Sequence, residues 1–193
     1  MSLLLDAATK HQTGELAEAA QLYGAYVKKD PKNLEALSLF GLCMQDMGNY
    51  QQAEKLYSAA LSYDTSRFDF YQNRGTTRIQ LGKIADAISD FENGLRIWPD
   101  NVGCLLQAGN ACVKLAEFDK AVQFFEKALM LNPTEDGAAA GLAFTLCSRG
   151  IKAIEEKRLD LAILDLEKAY KYCPEAWEIG YNLGNAHLKS GNY

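Results

Sequence analysis

The sequence predicts an all-α fold, a solenoid of antiparallel helix pairs, and three observations carry that expectation. Small, aromatic and proline residues recur in columns at a fixed spacing. Apolar residues between the columns fall at helical intervals. Glycine or proline stands at the joins, where a helix must stop.

The first column is Ala7, Gly41, Gly75, Gly109, Gly150 and Gly184. The second is Ala19, Ala53, Ala87, Ala121 and Ala162, and the third is Pro31, Thr65, Pro99, Pro133 and Pro174. The fourth is bulky: Tyr23, Tyr57, Phe91, Phe125 and Leu166. The step is 34 residues, apart from one step of 41 between Gly109 and Gly150. Agreement of several columns at one period defines the units: repeat 1 about 1–33, repeat 2 34–67, repeat 3 68–101, repeat 4 102–135, a seven-residue insert about 136–142, repeat 5 143–176, and an unpaired first helix of a sixth over 177–193. Together they read as a single array over 1–193.

Each unit has a physical reading. In residues 102–133, Leu105, Ala108, Gly109 and Cys112 make one apolar helical face. Ala116–Asp119 turns the chain, Ala121, Phe125 and Ala128 make a second face, and Pro133 ends it. Gly109 and Ala121 are small because two backbones approach there. Phe125 fills the space between, where burial is worth about 1.5–3 kcal/mol. Gly14, Gly48, Gly82 and Gly191 stand in the turns and supply the positive φ of a helix C-terminus. Ala116 and Lys157 replace glycine twice, and those two turns are expected to be shaped differently.

Leu37-x2-Phe40-Gly41-x2-Met44 followed by Ala53-x3-Tyr57 resembles the tetratricopeptide pattern, as does Tyr71-x2-Arg74-Gly75 followed by Ala87-x3-Phe91 and Pro99. The resemblance covers essentially the whole chain. It implies a right-handed superhelical solenoid in which the first helices of successive units line a concave groove that binds partner peptides or helices. The pattern residues are packing residues, so the resemblance fixes fold more firmly than function.

Three irregularities individualise the array. The first is the 41-residue step, whose extra residues lie around Asp136–Leu142. Seven residues are about two helical turns with a drift of only about 20°, so the insert can lengthen a helix without turning its buried face away. The alanine run favours that over a looped-out insert. The helix is expected to start near Glu135 with Thr134 as its cap. The second is a pair of charges. The position before the column glycine is Phe40, Ala108 or Leu183 in three units but Arg74 and Arg149 in two, and sixteen residues later those two carry Asp90 and Asp165 where others have Leu56 and Phe124. Charge at both positions or at neither predicts structural Arg74–Asp90 and Arg149–Asp165 bridges between paired helices, a role suited to the guanidinium fork. The third is the end. Ser190-Gly191-Asn192-Tyr193 repeats Met47-Gly48-Asn49-Tyr50, where a second helix begins, so a fragment of a longer protein is expected. Its exposed apolar end would support self-association.

Groove residues follow by counting from the column glycine. The third unit offers Gln72, Asn73, Thr76 and Gln80; the fourth Leu106, Gln107, Asn110 and Lys114; the fifth Cys147, Ser148, Ile151 and Glu155; the last Tyr181, Asn182, Asn185 and Lys189. The expected wall is polar and amide-rich, able to donate to and accept from an extended peptide backbone. It is similar to the asparagine-lined groove of repeat domains attached to peptide-modifying glycosyltransferases, although the second unit departs with Ser38, Leu39, Leu42 and Asp46. It is unlike the two-carboxylate clamp of chaperone-binding members, which needs lysines and an arginine where this chain has Leu106, Thr76 and Gln72.

Hydrophobic residues at 48% and charged residues at 23% fit an ordinary soluble protein and not a disordered one. The net charge of −5 disfavours nucleic acid as a partner. No apolar run is long enough for membrane insertion, and the start Met1-Ser2-Leu3-Leu4-Leu5-Asp6 lacks the form of a signal peptide. Five cysteines without CxxC spacing point to reduced thiols and a cytoplasmic location, with a processed exported protein as the alternative. No metal or other cofactor is expected. His11 and His187, the only histidines, stand at opposite ends of the chain without a catalytic constellation. The function expected is therefore a non-enzymatic protein-binding scaffold. The alternatives are an N-terminal recognition domain of a larger enzyme, such as a peptide-modifying glycosyltransferase, and a self-assembling array.

Overall fold

The computed structural model describes residues 3–191. Met1 and Ser2, part of the signal-peptide reading, and Asn192 and Tyr193, part of the unfinished-end reading, lie outside the described residues. Among the described residues the regular elements are eleven helices: α1 (Leu3–Gln12), α2 (Leu16–Lys29), α3 (Leu34–Asp46), α4 (Tyr50–Tyr63), α5 (Phe68–Gln80), α6 (Ile84–Ile97), α7 (Val102–Lys114), α8 (Phe118–Leu131), α9 (Asp136–Glu155), α10 (Leu159–Tyr172) and α11 (Trp177–Ser190). The chain divides into two compact units, Met1–Pro99 with α1–α6 and Asp100–Tyr193 with α7–α11.

In the first unit α1 packs on α2, α3 on α4 and α5 on α6, while α2–α3 and α4–α5 contacts join the pairs. In the second, α7 packs on α8, α9 on α10, and α11 lies against α10 and α9. The columns explain why the pairs close. Ala19, Ala53, Ala87, Ala121 and Ala162 are fully buried, as are Tyr23, Tyr57, Phe125 and Leu166. A Cβ built on Gly41 would stand 2.6 Å from the Tyr57 ring, on Gly75 2.6 Å from Phe91, on Gly109 2.8 Å from Phe125 and on Gly150 2.9 Å from Leu166. Each column glycine is thus the floor on which the bulky residue of its own second helix rests. At Gly184, on α11, that space is open.

Three helix starts, those of α3, α4 and α7, are capped by a side chain. Asn33, Asn49 and Asn101 accept side-chain hydrogen bonds from the amides of Ala36 (2.9 Å), Gln52 (3.3 Å) and Cys104 (2.8 Å). The turns inside each pair share one geometry. At Gly48 (φ 72°), the Asn49 amide donates to the Met44 carbonyl at 2.8 Å and the Gly48 amide to Gln45 at 2.8 Å. The expectation that the Ala116 and Lys157 turns differ is corrected. Ala116 (φ 55°) and Lys157 (φ 61°) hold the same left-handed conformation, with Glu117 donating to Cys112 at 2.9 Å and Arg158 to Ala153 at 2.8 Å. The helix packing on both sides dictates the turn, and the side chain bears the strain.

The 41-residue step is a longer helix. α9 has 20 residues where α7 has 13, and Ala138, Leu142, Ala143 and Leu146 continue its buried stripe through the added turns. Gly141 is the contact point: a Cβ there would stand 2.6 Å from the Phe125 ring, which Gly109 already supports. The expected Thr134 cap is corrected. The residue at that position is Glu135, which makes no side-chain capping bond, and the helix begins at Asp136. Asn132 claims Thr134 instead, its Oδ1 accepting from the Thr134 amide at 3.3 Å and hydroxyl at 3.0 Å.

Candidate partner-binding site

The charged positions join helices inside each unit. Arg74 holds Asp90 through two bonds, Nη2 to Oδ1 at 2.6 Å and Nε to Oδ2 at 3.0 Å, and its Nη1 donates to Ser58 Oγ at 3.2 Å. Asp90 is 1% exposed and also accepts from Arg78 Nη1 at 2.8 Å. Arg78 continues to Glu54 at 3.0 Å, and Glu54 to Lys83 at 2.6 Å, so the network ties α4, α5 and α6 together. Burial alone would raise the Glu54 carboxyl, but its bonds to Lys83 and Arg78 outweigh that and hold it below the ordinary range. In the second unit Arg149 grips Asp165 at 2.7 Å through both Nε and Nη2 and reaches Asp119 at 2.6 Å. These bonds raise the guanidinium pKa further, the Asp165 bonds most. Arg78, Glu54, Lys83 and Asp119 were not legible from the covariation, which compares one position per helix. Each of these groups is bonded to another of the set.

The groove positions have three fates. On α5, Gln72, Asn73 and Thr76 are half-buried; Thr76 Oγ1 donates to the Gln72 carbonyl at 3.0 Å, and the Asn73 carbonyl accepts from Gln45 Nε2 at 3.3 Å. Gln45 also accepts from Tyr57 Oη at 2.9 Å and donates to Thr77 Oγ1 at 2.7 Å, fastening α3, α4 and α5 from within. On α7, Gln107 is half-buried while Asn110 and Lys114 are exposed. α9 and α11 bring groove positions to one hollow: Ser148 and Asn182, with Cys147 and Ile151, line a cleft of about 540 Å³. Asn182 Nδ2 donates to the Glu178 carbonyl at 2.8 Å, Tyr181 stands 67% exposed outside the lining, and Asn185 is half-buried.

The cleft differs from the amide-rich wall expected of it. Its other lining residues are Ala140, Ala143, Phe144, Cys173, Ala176, Glu178 and Ile179, so the surface is chiefly apolar. Phe144 is 61% exposed and offers its ring to solvent. The sequence carried a signal for it. Phe144 lies six residues before its column glycine, where the other units have Glu35, Asp69, Gly103 and Glu178. Cys147 and Cys173 are partly exposed in the cleft, whereas Cys43, Cys104 and Cys112 are buried. Burial pushes the Cys147 thiol up, and the Glu178 carboxylate adds to the shift. Among the described residues no group of three His, Cys, Asp or Glu side chains could hold a metal ion, and no helix is long and apolar enough to cross a membrane.

A family model described as tetratricopeptide repeat matches residues 11–71 and 78–143, more than half of the chain, and a second of the same description matches 44–101. The chain is 26% identical over 215 residues to the DnaJ homolog subfamily C member 7 homolog of Schizosaccharomyces pombe, covering 98% of this chain and 44% of that protein. It spans less than half the length of the curated relatives it matches. Its fold is similar to that of MamA, with a TM-score of 0.74 at 20% identity over 88% of this chain and 95% of that one. It is also similar to YrrB, described as a TPR protein with an unusual peptide-binding site, with a TM-score of 0.72 at 17% identity over 93% of this chain and 89% of that one.

Proposed function

The chain belongs to the tetratricopeptide repeat family, and on that premise we propose that it is a protein-interaction scaffold whose second unit seats an apolar segment of a partner peptide or helix between α9 and α11. The observation that carries this reading is the cleft: about 540 Å³, chiefly apolar, with Phe144 and Ile151 exposed in its wall and a few polar groups beside them. A concave apolar site with sparse polar groups is the common form of a recognition site. Ser148 and Asn182 can orient the partner's main chain. Asn73 in the first unit, and Asn110 and Asn185 in the second, are proposed further amide contacts. The peptide-binding site of YrrB, a protein of similar fold, agrees with such a role. The absence of a convergent catalytic set from the sequence favours binding without chemistry, and the free thiols favour a reducing, cytoplasmic compartment.

The test is selection of binders from a displayed library of random 12-residue peptides, followed by affinity measurement on wild type, Phe144→Glu and Asn73→Ala/Asn110→Ala. Phe144 is exposed, so its replacement leaves the core intact. Loss of one buried aromatic contact corresponds to roughly ten- to hundredfold weaker binding. That loss on Phe144→Glu, with an unchanged melting curve, supports the site. Equal binding by Phe144→Glu, or failure to recover any binder, contradicts it.

A further inference from the structure

The cleft has one charged lining residue, and it is acidic. Glu178 stands in the first turn of α11 beside Ile179 and Asn182 and faces α9 across the hollow. Some carboxylates of the second unit are paired, Asp165 and Asp119 with Arg149, Glu126 with Lys168 and Glu156 with Arg158. The Glu178 side chain is in no such pair among the described residues, and its charge reaches the thiol of Cys147 on the opposite wall. No lining residue is cationic. An apolar hollow edged by an unmatched anion fits a ligand that carries the complementary pattern. The dimensions also matter. A hollow of about 540 Å³ lies within the usual range for a ligand pocket and has room for more than one bulky side chain. The two added turns of α9 contribute Ala140 to the lining, and the α10–α11 connection contributes Cys173 and Ala176.

We propose that this cleft selects a peptide in which a bulky apolar side chain is adjacent to a lysine or arginine, the apolar group entering among Phe144, Ile151 and Ile179 and the cation meeting Glu178. This rests on the reading that the cleft is the partner site, and it adds the charge of the partner. A neutral or acidic peptide loses the Glu178 contact, and an acidic one is repelled by it. Ser148 and the side-chain oxygen of Asn182 can contact the main chain in either case, which makes the preference electrostatic in origin.

Two fluorescein-labelled synthetic 12-residue peptides test the proposal by anisotropy. Both carry two leucines and a tryptophan on one helical face; one has lysines flanking this face and the other has glutamates. The full chain is expected to bind the lysine peptide roughly tenfold more tightly, a margin that narrows in high salt. Glu178→Lys should abolish or reverse the preference. Glu167→Lys, an exposed charge change on α10 away from the cleft, should preserve it and so control for net charge. Phe144→Glu should weaken the binding of both peptides. Equal affinity for the two peptides, with Phe144→Glu still weakening both, overturns the charge preference and leaves the cleft as the site. A preference for the lysine peptide that Glu167→Lys removes as fully as Glu178→Lys overturns the assignment to Glu178. Binding of neither peptide, while the dye anilinonaphthalene sulfonate binds wild type but not Phe144→Glu, assigns the cleft to a small apolar molecule and overturns the peptide class.

Discussion

Replacing Arg149 and Asp165 singly and together tests the inference that two repeats exchanged an apolar contact for an ion pair. Asp165 is 3% exposed at its side chain and meets Arg149 through both oxygens at 2.7 Å. Arg149→Leu leaves that carboxylate buried without a counter-ion, which costs about 3–5 kcal/mol. Asp165→Leu leaves a guanidinium that is 22% exposed and keeps Asp119, so the loss is smaller, about 2–3 kcal/mol. If the sites were independent, the double variant would lose roughly 5 kcal/mol or more. The corresponding pairs elsewhere are Phe40 with Leu56 and Ala108 with Phe124, so the site tolerates two apolar groups. The double leucine variant should therefore lie within about 1 kcal/mol of wild type, since replacing a buried pair by packed apolar residues is close to neutral. Asp119, 85% exposed, regains water at little cost. Urea unfolding followed by far-ultraviolet circular dichroism reads all four proteins. A double variant as unstable as the sum of the singles would refute the reasoning, as would two singles that each lose less than about 0.5 kcal/mol, the usual scatter of uncoupled sites.

Three further outcomes are expected. Ala116→Gly and Lys157→Gly should each raise stability by about 0.5–1 kcal/mol in the same unfolding assay, because glycine relieves a left-handed φ at a modest entropic cost. Gly141→Ala should destabilise by about 1–3 kcal/mol, since its Cβ meets the Phe125 ring at 2.6 Å, whereas Gly137→Ala, with only ordinary contacts at 3.5 Å and beyond, should stabilise by up to about 1 kcal/mol. Glu54 has a depressed folded pKa, so its contribution is full above the ordinary value of 4.5 and is lost as pH falls through the folded value. An acid titration of stability should accordingly be shallower below that value in Glu54→Gln.

The fold was legible because packing repeats: a column glycine meets a bulky side chain sixteen residues later, and both leave a mark at a fixed period. The lengthened α9 was legible for the same reason, since seven residues preserve the helical phase. The role of Gly141 was not, because it meets the Phe125 ring of the preceding pair, outside any column. The Ala116 and Lys157 turns were misjudged because local preference yields to the helices on either side. The apolar character of the α9–α11 cleft was not read from the sequence for a related reason. Counting four positions from each glycine stopped one turn short of Phe144, and the added turns of α9 bring Ala140 into the same hollow. Charge covariation exposed Arg149 with Asp165, but a chain of bonds such as Asp90–Arg78–Glu54–Lys83 requires three helices at known distances.

The cleft contains its own reporters. Burial keeps Cys43, Cys104 and Cys112 away from reagents and pushes the Cys104 thiol up to about 12, while Cys147 and Cys173 line the hollow. Iodoacetamide labelling of the native chain, resolved by peptide mass spectrometry with and without a saturating selected peptide, therefore tests the central claim directly. The account predicts modification confined to Cys147 and Cys173 and slowed severalfold at both by the bound peptide. Unchanged labelling of both cysteines in the presence of the bound peptide would contradict it.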